Sequence, residues 1–191
     1  MTSANRKTLS RAAFAVAVCF FSMVASSEVL LNLNGSWEFR LEELVAFNTY
    51  PGWMVPEPGT PAELRERMKC KVRSIVERFR SLYPDKPIIV AEMGTCGVYG
   101  QHDPSAAQWT EEFQAEYFGD IIDTVFAESD ICGLTLWQFA DANSFYRDGA
   151  RVRTKPFAVN LAGLFDGYRR AKMAAQTVRD GFARRVANER E

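Results

Sequence analysis

Histidine is almost missing from this chain: His102 is the only one among 191 residues. Closed zinc sites draw several His or Cys ligands from short spacings. The four cysteines (Cys19, Cys70, Cys96 and Cys132) are widely spaced and form no C-x-x-C pair, so no metal site is expected. A Ser-His-Asp triad would have to run through His102 alone, which argues against it. An excess of one charge is missing too. Lys and Arg number 23 against 24 Asp and Glu, a formal net charge of −1, and no basic stripe offers a face to nucleic acid. There is no internal repeat and no low-complexity tract. Nothing in the sequence calls for a cofactor.

What is present suits one folded unit. Hydrophobic residues make up 47% and charged residues 25%, enough to bury a core within a length typical of one domain. Aromatics are plentiful, with 14 Phe, 6 Tyr and 4 Trp. They suit a large core and also a sugar site, where ring faces pack on the apolar faces of pyranoses. At the N-terminus, Arg6, Lys7 and Arg11 precede the apolar run Ala12 to Ala25, followed by Ser26-Ser27. Basic, apolar, then small is the layout of a secretory signal peptide over residues 1–27, and the run is short for a membrane span. A buried helix or uncleaved anchor is the alternative. A secreted or periplasmic protein is expected.

Trp37, Phe39 and Leu41 alternate with Glu38 and Arg40 after the turn formers Asn34-Gly35, which predicts a half-exposed β segment within 28–42. From residue 43 the style changes. Leu44 to Phe47 is a short apolar strand ending in Asn48. A Pro- and Gly-rich loop follows. Thr60, Pro61 and Glu63 then have the spacing of a capping box, with proline at the first helical position. Leu64, Met68, Val72, Ile75, Val76 and Phe79 keep helical period, and Pro84 should stop that helix near Tyr83.

The segment Pro87-Ile88-Ile89-Val90-Ala91-Glu92-Met93-Gly94 reads as a parallel strand buried on both faces, delivering one carboxylate at its C-terminal end. In a (β/α)8 barrel the chemistry sits at that end of the strands. A second helix carries Phe113, Tyr117, Phe118, Ile121, Ile122, Val125 and Phe126, with Ser105 and Gln108 at capping-box spacing before it. Cys132 to Phe139 is a third core strand, with Asp141 and Asn143 just past it. A last helix spans Ala171 to Phe182, and residues 186–191 form a charged tail. Strand, helix, strand, helix, strand, helix is the βαβ rhythm of a parallel sheet in an α/β fold.

Four motifs then stand in order: Asn48-Thr49-Tyr50-Pro51-Gly52-Trp53, Ala91-Glu92-Met93-Gly94, Leu136-Trp137-Gln138-Phe139-Ala140-Asp141, and Gly163-Leu164-Phe165-Asp166-Gly167-Tyr168-Arg169-Arg170. Together they resemble the C-terminal part of the catalytic barrel in glycoside hydrolase family 2, the β-glucuronidase and β-galactosidase family. The resemblance implies the last three β/α units of a (β/α)8 TIM barrel over residues 43–185. It also implies that 28–42 resembles the first strand of the family's N-terminal sugar-binding jelly-roll domain. By the same resemblance, Glu92 is the nucleophile of a retaining β-glycosidase, and Trp137, Tyr50, Asn48, His102 and Asn160 contact the carbohydrate. Core or loop packing is the alternative for Trp137, Tyr50 and His102.

Two departures qualify it. The family's acid/base, a Glu preceded by Asn, has no counterpart, since the only Asn-Glu pair, Asn188-Glu189, lies in the tail. Retaining hydrolysis needs two carboxyl groups about 5 Å apart, one to attack and one to protonate the leaving oxygen. Second, the glucuronidases' Asn-x-Lys element, which holds a uronic acid's carboxylate, reads Asn160-Leu161-Ala162 here. A neutral sugar is therefore expected, with Lys155 as a substitute cation only if the loop is rearranged. Three strands leave open sheet edges, for self-association or a complementing chain. The expectation is a glycosidase fragment, weak or inactive alone. A non-catalytic carbohydrate-binding module and the product of an internally deleted gene stand as alternatives.

Overall fold

Residues 44–51, 59–142 and 155–188 are described by a computed structural model. The signal-like segment 1–27, the β segment 28–42, Trp53 and Asn143 lie outside them. Three strands and three long helices alternate: β1 (Val45–Thr49), α1 (Pro61–Leu82), β2 (Ile88–Met93), α2 (Glu111–Ala127), β3 (Ile131–Leu136) and α3 (Met173–Asn188). The sheet runs β1-β2-β3 with both pairings parallel. This is the α/β arrangement that the alternation of strand and helix patterns predicts.

The helices start where local chemistry can satisfy their free N–H groups. At α1 the Thr60 side chain accepts from the Glu63 N–H at 3.3 Å, while the Glu63 carboxylate accepts from the Thr60 N–H at 2.7 Å. Each end of this capping box satisfies a donor the helix leaves free. The helix ends at Leu82, with the Tyr83 N–H closing onto the Phe79 carbonyl. The start of α2 corrects the sequence reading. Asp103 captures both the backbone N–H and the hydroxyl of Ser105, at 2.7 Å each, so Ser105 closes a turn rather than capping a helix. Ala106 and Trp109 then take positive φ, of 53° and 76°, which no helix continues. Thr110 is the cap, accepting from the Phe113 N–H. At the other end of the chain α3 starts at Met173, later than Ala171, and runs on to Asn188 into the expected tail.

One core joins the helices to a single face of the sheet. Leu64, Met68, Val72 and Val76 from α1 meet Phe113, Tyr117, Phe118, Ile121, Ile122 and Val125 from α2, with Ala174 and Val178 from α3. The sheet supplies Phe47, Ile88, Val90, Met93, Ile131, Leu134 and Leu136. On the other face Ala46 and Asn48 are exposed, and Ile89, Ala91 and Glu92 are half-buried. The expectation that β2 is buried on both faces is therefore corrected. Among the described residues, one layer of helices covers one face and no equivalent layer covers the other.

That open face is also where Glu92 lies. Strict alternation from Ile88 and Val90 would turn residue 92 towards the helices. Instead β2 holds one residue more than each neighbour here: Phe47 pairs with Val90 and Asn48 with Glu92, while Val90 pairs with Leu134 and Met93 with Leu136. The extra residue resets the phase, as a bulge does. Met93 takes the buried place and Glu92 stays on the open side.

Candidate active site at the strand ends

Because the three strands are parallel, their C-terminal ends share one edge, and the loops leaving them meet there. Asn48 on β1 is in register with Glu92 on β2. Two residues further on, the Tyr50 hydroxyl donates a hydrogen bond to Glu92 Oε2. Burial pushes the Tyr50 phenol far above its ordinary range, and the bond to Glu92 and its negative charge push it further. The phenol is thus a donor at neutral pH, and it leaves Glu92 Oε1 free of that bond.

Trp137 continues the ladder past β3, its N–H donating to the Met93 carbonyl at 2.8 Å. The Trp137–Gln138 peptide is cis. The close approach fixes Gly94, where a Cβ would stand 2.0 Å from the Trp137 carbonyl oxygen. Trp137, Tyr50, Trp109 and Leu161 pack around the buried pair Cys96 and Ala162. Glu92's phenol partner and Trp137 therefore share one cluster.

The segment after β3 is laced to residues 160–165. Gln138 N–H donates to Ala162 O at 3.0 Å, Leu164 N–H to Gln138 O at 3.0 Å, and Ala142 N–H to Asn160 O at 3.1 Å. Asn160 is 6% exposed, and its Oδ1 is buried with no hydrogen-bond partner among the described residues, as is Gln138 Nε2. His102 stands in a different setting. Its Nδ1 lies 2.9 Å from Glu112 Oε1 at the start of α2, and its side chain is 54% exposed. The structure thus brings Glu92, Asn48, Tyr50 and Trp137 together, adds Asn160 through the laced segment, and gives His102 a partner on α2.

Sequence reasoning missed the polar centre beneath the site. The Lys172 side chain is fully buried, and its ammonium donates to Gly97 O (2.6 Å), Asp141 Oδ1 (2.7 Å) and Leu161 O (3.0 Å). Asp141 Oδ1 also accepts from the Gly163 N–H at 2.8 Å. Burial raises the Asp141 carboxyl and lowers the Lys172 ammonium, and each pulls the other back towards its charged form. Lys155 is half-buried, which lowers its ammonium, and its charge is felt by the Cys96 thiol, itself pushed up by burial to about 11.

The parallel α/β unit brings its loops together at the strand ends, an arrangement many enzyme classes share, and comparison with known proteins narrows it. A β-glucuronidase of Streptococcus agalactiae is 32% identical over 103 residues, covering 53% of this chain and 16% of that protein. The β-glucuronidase of Rattus norvegicus is 32% identical over 127 residues, covering 65% of this chain and 18% of its own. Among solved structures, a GH2 β-galacturonidase from Eisenbergiella tayi bound to galacturonate superposes with a TM-score of 0.59 at 25% identity, over 74% of this chain and 24% of that one. No family model matches. Over this part of its length, the chain is related to glycoside hydrolase family 2. It spans less than a fifth of the curated relatives it matches.

Proposed function

We propose that the chain carries the nucleophile-bearing part of a retaining β-glycosidase, the last three units of a (β/α)8 barrel, with Glu92 as the nucleophile. The observation that carries this reading is the position of Glu92: on the open face, at the strand ends, with one oxygen held by a phenol that keeps its proton. The free oxygen attacks the anomeric carbon and the aglycone oxygen leaves, giving a covalent glycosyl-enzyme. Trp137 offers an indole face to the sugar. Asn48 is exposed beside Glu92 and offers hydrogen bonds to the sugar's hydroxyls, while the buried Oδ1 of Asn160, without a partner among the described residues, would accept only from a hydroxyl that reaches into the laced segment.

The leaving oxygen needs a proton. Asp141 is committed to Lys172 and Gly163, so no second carboxyl is assigned to that task, and ordinary glycosides should turn over slowly. Aglycones that leave as stable anions bypass the step. With 2,4-dinitrophenyl β-glycosides the wild-type chain should release dinitrophenolate, and Glu92→Gln should not. Release that is unchanged in Glu92→Gln would remove the assignment.

The same panel, run with paired neutral and uronic sugars, reads the charge preference. The neutral-sugar expectation rests on Ala162. Against it stand relatives named for glucuronides and galacturonides, and Lys155, whose charge reaches the Cys96–Ala162 cluster. Turnover of neutral sugars alone favours Ala162 as the determinant, and turnover of the uronides favours Lys155. Export follows from residues 1–27. N-terminal sequencing of material from the culture medium or periplasm should find a start near residue 28, and a cytoplasmic protein starting at Met1 would contradict it.

A further inference from the structure

We propose that Lys172 is the positioning residue of this site: one buried ammonium locks the loop after β2, the loop after β3 and the 160–163 segment into the arrangement that aligns Glu92, Trp137 and Asn160. The inference rests on reading those three side chains as one site. Its physical basis is a count of protons. An ammonium has three donors, and Lys172 places them on three acceptors from three separate segments: Gly97 O, Asp141 Oδ1 and Leu161 O. None of these segments is regular structure that holds itself. Gly97 lies five residues past Glu92, Asp141 four past Trp137, and Leu161 is next to Asn160.

Asp141 extends the lock. It accepts from the Gly163 N–H, and Gly163 is so close to the 140–141 backbone that a Cβ there would stand 2.2 Å from Asp141 N. Lysine is almost never fully buried unless paired. Here each partner has the other, and among the described residues Glu111 and Cys96 also act on Lys172 and Asp166 on Asp141. A cation at this place does not touch the sugar. It decides whether the groups that do are held.

Lys172→Met in the full chain tests this, because methionine keeps most of the stem and removes the charge. Gly97 O, Leu161 O and the Asp141 carboxylate then each lose the ammonium as a donor, while Leu161 O keeps the Gly97 N–H and Asp141 keeps the Gly163 N–H. Hydrogen exchange at the amides of Gly97, Gln138, Asp141, Gly163 and Leu164 should quicken by about tenfold or more, on the scale of a lost charge-assisted hydrogen bond, with α1 amides unchanged. Labelling of Glu92 by an activated 2-deoxy-2-fluoro-β-glycoside should slow by a similar factor. Adding Asp141→Asn removes the stranded charge and should recover part of both losses, which a space-filling role for Lys172 does not predict. If Lys172→Met does not fold, Asp141→Asn alone carries the comparison, since it keeps the ammonium and its two carbonyl acceptors. A wild-type chain that is not labelled overturns the nucleophile reading and leaves the exchange result to judge the lock. Equal exchange in wild type and variant, uniform loss that includes α1, or no recovery in the double variant overturns the lock.

Discussion

Tyr50 keeps its proton because burial raises the cost of a phenolate and the neighbouring Glu92 carboxylate adds to it. The unfolded chain has no such protection, and its Tyr50 ionises near the ordinary value of about 10. A group whose folded affinity for its proton is the higher one stabilises the fold fully below the unfolded value and less above it. Stability should therefore decline as pH rises past about 10, and Tyr50→Phe should flatten that decline in alkaline denaturation curves. The same variant removes the donor from Glu92. Labelling of Glu92 should slow by about tenfold or more, as expected for a hydrogen bond to a charged group. Glu92 was legible in the sequence because an apolar run bounded by Pro87 and Gly94 delivers it at a strand end. Tyr50 was legible only through the family motif, since nothing local ties it to a carboxylate 42 residues away. Lys172 was not legible. A single lysine ahead of an Ala-rich helix reads as a solvated charge, and two of its three acceptors are backbone carbonyls, which leave no mark in sequence.

Elements are legible in the sequence wherever caps and period agree. Thr60, Pro61 and Glu63 located the start of α1, and its buried face is the one the period marked. Thr60→Ala should cost about 1 kcal/mol of stability, the usual worth of an N-cap, and urea unfolding should show a lower midpoint with an unchanged slope. The start of α2 is not legible in the sequence, because Ser105 and Gln108 copy the spacing of a cap while Asp103 takes Ser105 into a turn. The bulge in β2 was invisible for a different reason. Ile-Ile-Val-Ala is apolar throughout, so no alternation existed whose break would reveal the extra residue. Close approaches between loops make a sharper prediction. Gly163→Ala would force a Cβ to within 2.4 Å of Ala140 C and Phe165 O. It should destabilise by about 1–3 kcal/mol or more, as overpacking does, and thermal unfolding would show it. An unchanged midpoint would mean that the 138–142 and 160–165 segments are not held as close as described.

At the scale of the molecule, one fact governs the rest: among the described residues, helices cover the sheet on one side only. Among the described residues β1 and β3 each pair with β2 alone, and Ala46, Ile89 and Ala91 look away from the helices. Unpaired strand edges beside a half-apolar face favour association. Sedimentation velocity should show concentration-dependent self-association, and Ile89→Lys should weaken it. A monomer at every concentration would argue that the open face is shielded in solution. The role of Glu92 is tested most directly by trapping its covalent intermediate. Intact-mass spectrometry after incubation with activated 2-deoxy-2-fluoro-β-glycosides should show one added glycosyl group, and peptide mapping should place it on Glu92. A folded chain that gains no mass, or one labelled at another residue, would contradict the account.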